Sequence, residues 1–446
     1  MKNKIGTSPS KNKSPLAFFF ESGLGGFEFI ESQKNRIMPD SVKIVIILIG
    51  ILVFIRFKVA LSVTLLCSAA ALGLLFNLSL SKIALSFFNG ALDPETLLLT
   101  ASLLLILFFS AVMKETGNMT RSIAALREIF RDARATVAII PAIIGILPIM
   151  GGAMLSAPLV LEASDELRLS PEKRTFNNYW FRHIWEYTLP TYPSIIMIAT
   201  IVGIPVAQVS LINLPLTIAA IAVGFFFGLK GVRSSLPSSG PLTFGTVAKN
   251  LGRFITNLLP FFIVLWLTLY FKVQLAYSLA LAVIGTILYH RLSSTLIWRL
   301  LKISFSWEIV FLIWGIMIFK EILVVSGAMN SVAKEFTAIG MPPFILIIAL
   351  PAILGVITGY SNAYVGLSFP ILLPLFQAGA PNYGYVMMAY CSGFCAVLLS
   401  PMHACLVMTR EYFKADISKL YRLLILPVAI VFVTGVAFLL ISAWVK

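Results

Sequence analysis

The chain has 446 residues, 59% of them hydrophobic and only 12% charged, with a mean hydropathy of +0.94. Soluble domains carry roughly 25% charged residues, so a soluble enzyme of two or three domains is excluded. The 34 Lys and Arg against 19 Asp and Glu give +15, and in so apolar a chain that excess marks basic cytoplasmic loops, not a nucleic-acid partner.

Residues 1–40 are rich in Ser, Lys, Asn and Gly and hold no apolar core long enough for a secretory signal. They read as a disordered extension, or synthesis starts at Met38, just ahead of Pro39 and the first apolar run. A bilayer-crossing helix needs roughly 20 mostly apolar residues. Such runs lie near 42–57, 59–77, 96–113, 184–204, 210–229, 255–271, 273–289, 307–325, 384–409 and 422–445.

Two further apolar stretches resist this treatment. In 136–161, Pro148, Gly151, Gly152 and Pro158 interrupt the run; in 343–376, Gly355, Gly359, Gly366 and Pro370 do so. Both are expected to enter and leave on one side as re-entrant hairpins. Non-helical backbone at membrane depth is tolerated only where protein or a water-filled cavity surrounds it. The fold class is therefore an all-α polytopic membrane protein of about ten transmembrane helices and two re-entrant hairpins.

Alternating sides through these elements places 22 Lys and Arg inside and only Lys82, Lys272, Lys334 and Lys446 outside. That split follows the positive-inside rule and puts the 230–253 segment in the cytoplasm, with both termini outside. The seven basic residues of the N-terminal region stand against it.

The chain also repeats itself. "FKVALSVTLL" at 57–66 matches "FKVQLAYSLA" at 271–280, an offset of 214. "TGNM" at 116–119 matches "SGAM" at 326–329 (210), and "LSAPLV" at 155–160 matches "LSFPIL" at 367–372 (212). "LPTY" at 189–192 sits opposite "SPMH" at 400–403, an offset of 211. Four matches in order at nearly one offset indicate a duplication: membrane repeats over 41–230 and 255–446, joined by a linker over 231–254. With five crossings and one hairpin apiece, the second repeat lies upside down relative to the first. Inverted repeats with discontinuous elements at the midplane are typical of secondary transporters.

The hairpin tips are the expected substrate site. Gly359-Tyr360-Ser361-Asn362-Ala363 offers a hydroxyl, a carboxamide and free amides at a helix N-terminus, suited to an anion. The first tip, Met150-Gly151-Gly152-Ala153, offers only backbone, which glycine lets a ligand approach closely. Substrate binding is thus assigned to Gly151, Gly152, Ser361 and Asn362. Pro190, Pro193 and Pro401 break the helices that follow the hairpins and free backbone carbonyls. Ser156, Thr191, Ser368, Ser400 and His403 are candidates to complete the site, and His403 is also a candidate proton-coupling group or a packing histidine.

Lys320 and Glu321 lie inside the 307–325 run and are candidates for charge coupling, unless Lys320 only snorkels to the surface. Glu186 and Glu308 fall close enough to cytoplasmic helix ends to be wet. Cys67, Cys391, Cys395 and Cys405 all sit in apolar runs and read as packing residues. There is no HExxH, GxSxG or Walker motif, so no catalytic residue, metal or cofactor is assigned.

The paired hairpins and the "SNA…FPILLP" string resemble the ion transporter superfamily, which includes citrate, arsenite, divalent-anion and gluconate-type carriers. "NYWFRHIWEYTLPTYP" at 178–193 and "LSPMHACLVMTREYF" at 399–413 resemble an uncharacterised family of prokaryotic integral membrane proteins placed in that superfamily. The resemblance covers about 40–446. It implies a multi-pass protein of the cell (inner) membrane, working by an elevator-like or rocking movement. Characterised members bind Na+ and a substrate carboxylate through a Ser-Asn-Thr motif at each tip. Ser361 and Asn362 match that motif, whereas Ala363 replaces its threonine and Gly151-Gly152 departs from it entirely.

The function expected is secondary active transport of a small carboxylate or inorganic anion coupled to H+ or Na+. A lipid-acting enzyme and a passive channel are the alternatives. The partners expected are the lipid bilayer, the anion and, in an assembly, a second copy of the chain as a homodimer.

Overall fold

The computed structural model describes residues 38–444 except 131, 147–151, 231, 233–242, 330, 332–334, 336, 337, 339, 341 and 378–380. Residues 1–37 of the expected N-terminal extension, residues 231 and 233–242 of the linker, and Gly151 therefore lie outside the described residues. All regular structure among the described residues is helical, in nineteen helices.

The first series comprises α1 (Asp40–Arg56), α2 (Leu61–Leu75), α3 (Leu80–Leu92), α4 (Pro94–Glu115), α5 (Asn118–Ile129), α6 (Ala133–Ile144), α7 (Gly152–Glu166), α8 (Pro171–His183), α9 (Pro193–Val202) and α10 (Val206–Leu229). The second comprises α11 (Phe244–Leu269), α12 (Leu275–His290), α13 (Ser294–Ser304), α14 (Trp307–Val325), α15 (Pro343–Thr358), α16 (Ser361–Phe376), α17 (Tyr383–Leu398), α18 (Ala404–Phe413) and α19 (Ile417–Trp444). Helices α4, α10, α11 and α19 are long and apolar enough to cross a membrane on their own. The chain is an all-helical integral membrane protein.

Leaving α5 aside, the two series run in the same order. α2 pairs with α12, α3 with α13, α6 and α7 with α15 and α16, and α8 and α9 with α17 and α18. Packing between the series is reciprocal. α9 lies against α16 as α18 lies against α7; α8 against α19 as α17 against α10; α2 against α14 as α12 against α4.

Both interrupted stretches form hairpins, α6–α7 and α15–α16, whose arms pack on each other. Three features differ from expectation. α3 and α13 are helices where loops were expected; each is too short and too polar on one side to register as a span. The expected 184–204 crossing instead begins at Pro171, as α8, and is non-helical over 184–192. Ser170 caps α8 by accepting from the Lys173 amide, with Pro171 in the first turn, where its missing N–H costs nothing.

Candidate functional site

The arm ends beside the two hairpin tips and the breaks between α8 and α9 and between α17 and α18 converge in the interior. Pro193 at the start of α9 keeps the preceding residue out of helical conformation, and Pro401 sits in the second break. Each tip is held by its neighbouring break. Tyr192 Oη donates to Gly145 O at the end of α6 (2.5 Å), and His403 Nδ1 donates to Gly359 O at the end of α15 (2.7 Å).

Gly359 is required twice over. Its φ is +61°, a left-handed value disfavoured for residues with a Cβ. A Cβ there would also stand 2.7 Å from His403 N and Met402 C. Gly145 passes so close to Arg182 O that any side chain would collide with that carbonyl.

The end of α8 and the break behind it carry the charges. Arg182 is only 6% exposed. Its guanidinium lies against the first residue of α7: a Cβ on Gly152 would be 2.8 Å from Arg182 Nε and Nη2. Arg182 Nη1 also donates to Cys405 Sγ (3.6 Å). Four residues on, half-buried Glu186 accepts a hydrogen bond from Ser361 Oγ (2.6 Å), at the first residue of α16. Glu186 O accepts from Tyr390 Oη (2.6 Å), which also pairs with Ser194 Oγ (3.1 Å). The two equivalent hairpin arms thus begin beside opposite charges, Arg182 at α7 and Glu186 at α16.

The histidines meet at the same place. His183 Nε2 and His403 Nε2 are 3.2 Å apart, while His183 Nδ1 bonds Tyr179 O (2.6 Å). Tyr179 Oη donates to Leu398 O (3.1 Å), and Asn178 Nδ2 to Ala153 O (3.0 Å).

Of the residues expected in the site, Ser361, Asn362, Gly152 and His403 come together here. Asn362 Nδ2 donates to Tyr360 Oη (2.8 Å). Gly151 lies outside the described residues. Thr191 is buried in the first break, and its hydroxyl has no hydrogen-bond partner among the described residues. Ser400 Oγ ties the second break to Val356 O of α15 (2.6 Å).

Ser156 and Ser368 instead use their hydroxyls on their own helices: Ser156 bonds Ala153 O at 3.2 Å and Ser368 bonds Tyr364 O at 2.6 Å. Lys320 and Glu321 are half-buried on α14. Among the described residues neither makes a hydrogen bond or ion pair with the cluster.

Arg182, His183 and Glu186 were missed as site residues. Glu186, expected to be wet at a helix end, is half-buried in the turn that follows α8, and Ser361 donates to its carboxylate. The available signal was the run "FRHIWE" at 181–186, with three ionisable side chains amid aromatics.

A cavity of about 760 Å³ lies apart from this cluster, between α5, α11 and α12, and is lined by Asn118, Arg121, Asn257, Pro260, Thr286 and Tyr289 among others. Its walls are mostly apolar, and it brings together none of the charged groups above.

Residues 40–441 match the family described as "Protein of unknown function (DUF401)". No curated protein matches the chain. Among solved structures, the fold is similar to that of the YdaH transporter of Alcanivorax borkumensis, with 14% identity, a TM-score of 0.55, and coverage of 85% of this chain and 90% of that one.

Proposed function

The chain belongs to the DUF401 family, and we propose that it is a secondary active transporter of a small carboxylate or inorganic anion, driven by H+. The observation that carries this reading is the pairing of Arg182 with the first turn of α7 and of Glu186 with the first turn of α16.

Helix N-termini carry partial positive charge and unpaired amides. A guanidinium against one of them makes a strongly electropositive spot that suits an anion. At the other, Glu186 already occupies the place an anion would take. Two negative charges at hydrogen-bond distance in a low-dielectric interior repel strongly. An anion therefore enters between the tips only as Glu186 takes up a proton and swings from Ser361. Substrate and proton move together for that reason.

The matching order of the two helix series and their reciprocal packing support inverted repeats over 41–230 and 255–446. A broken helix and a hairpin from each repeat then meet at the midplane, as in other carriers. The likeness in fold to a transporter and the Ser361-Asn362 tip support a place in the ion transporter superfamily, in the cell membrane.

The test is uptake of labelled carboxylates and inorganic anions into proteoliposomes under an imposed pH gradient, with and without Na+. Accumulation that collapses with a protonophore supports the proposal, with Glu186→Gln exchanging anion but failing to concentrate it. Accumulation that follows a Na+ gradient alone, with Glu186→Gln fully concentrative, overturns the H+ assignment. Absence of movement for any anion overturns the transport reading.

A further inference from the structure

We propose that His183, His403 and Cys405 form a binding site for one zinc-class transition-metal ion, which clamps the two broken helices together. The inference rests on the histidine geometry and not on the transport reading. Tyr179 O and Gly359 O can only accept hydrogen bonds, so His183 Nδ1 and His403 Nδ1 both carry their hydrogen. Both Nε2 atoms then present lone pairs, and these are 3.2 Å apart in a buried site. Two lone pairs at that separation repel, so something positive belongs between them.

A metal ion fits three further observations. Nitrogens held about 2.0–2.1 Å from one tetrahedral ion stand roughly 3.3 Å apart, which matches the observed separation. One ligand atom from each of His183, His403 and Cys405 lies within 4.8 Å of the other two, so a third ligand atom stands beside the histidine pair. Each histidine already has the carbonyl partner on Nδ1 that metal-ligating histidines use to fix tautomer and ring orientation. Arg182 Nη1 donates to Cys405 Sγ, which orients the sulfur. A shared proton would satisfy the two nitrogens but leaves the sulfur without a role.

The sequence reading placed Cys405 among packing residues because no local Cys/His spacing marks the set. His183 comes from the first series of helices, and His403 and Cys405 from the second. The ion would therefore tie α8 to the start of α18. With three protein ligands, a fourth position remains for water or an anion.

The experiment uses the full chain purified in detergent, freed of metal by a chelator and titrated with Co2+. Binding of one equivalent per chain, with the visible bands of tetrahedral cobalt and a near-ultraviolet thiolate-to-cobalt band, is the expected result. Zn2+ should bleach both. Cys405→Ser should abolish the thiolate band, and His403→Asn should weaken binding at least about 100-fold. The double variant Cys391→Ala/Cys395→Ala should keep both bands, which separates this site from that neighbouring thiol pair (Sγ to Sγ 4.0 Å).

Wild-type protein that binds neither Co2+ nor Zn2+ overturns the proposal, and the pair then shares a proton. Retention of the thiolate band in Cys405→Ser also overturns it. The wild-type titration decides even if a ligand variant fails to fold.

Discussion

Tyr192 and His403 occupy the same position in the two helix series and perform the same task on different hairpins. Tyr192 donates to Gly145 O at 2.5 Å and His403 to Gly359 O at 2.7 Å. Both carbonyls end the first arm of a hairpin, where the helix leaves them without an intrahelical partner. The aligned strings "LPTY" and "SPMH" end on these two residues, so the duplication has kept a grip while changing its chemistry.

The grip predicts a stability effect at Tyr192. Tyr192→Phe keeps the ring but leaves Gly145 O buried without its donor. An unsatisfied buried group costs about 1–3 kcal/mol. Thermal unfolding in detergent should show a midpoint lowered by several degrees. An unchanged midpoint would mean that water or another donor serves Gly145.

Gly359 and Gly327 separate backbone strain from steric collision. Both have positive φ, +61° and +70°, but a Cβ on Gly327 meets nothing within 4 Å. Gly327→Ala should cost only the left-handed penalty, about 1–2 kcal/mol. Gly359→Ala should cost clearly more, because the obstructing atoms are the backbone of Met402 and His403 and cannot rotate away. Equal losses of folded yield and thermal midpoint in the two variants would contradict the close approach.

Hydropathy and punctuation made much of this architecture legible. Proline and glycine within apolar runs marked both hairpins, and Pro401 marked the second break. The charged half of the site was hidden by the same criterion. α8 reads "PEKRTFNNYWFRH", polar enough for a cytoplasmic loop, yet Asn177, Asn178, Arg182 and His183 are all buried. A window of mean hydropathy cannot distinguish a polar helix in water from one inside a bundle, because what differs is the neighbours. Two of those neighbours, α18 and α19, are far away in sequence.

The bond from Ser361 to Glu186 should depend on pH. Hydrogen bonds to charged groups contribute about 1.5–3 kcal/mol, and neutral ones about 0.5–1.5. With Glu186 ionised, Ser361→Ala should destabilise by the larger amount. In acid, once Glu186 has taken its proton, the difference from wild type should shrink toward the smaller. Thermal midpoints of both proteins across a pH series give the measurement. A difference that stays constant would mean that Glu186 does not change charge over the range.

Gly152 admits Arg182 to the start of α7, and this gives the sharpest test of the proposed anion site. Gly152→Ala places a methyl group 2.8 Å from Arg182 Nε and Nη2. The obstructed atoms are the far end of a flexible side chain, so the guanidinium can shift and the fold should survive. The anion then loses its best-placed donor. Loss of a hydrogen bond to a charged group costs about 1.5–3 kcal/mol, equivalent to roughly 10- to 150-fold in affinity. Gly152→Ala should weaken binding of the transported anion by that order, while the thermal midpoint of the empty protein moves little. Asn362→Ala should have an effect of similar size if its amide also reaches the anion. Arg182→Gln removes the charge and should abolish binding, but it also disturbs Cys405 and takes a cation away from Glu186. Gly152→Ala is therefore the cleaner variant, and calorimetric titration is the measurement. Wild-type affinity in Gly152→Ala would place the anion away from Arg182, on the Ser361-Asn362 tip alone.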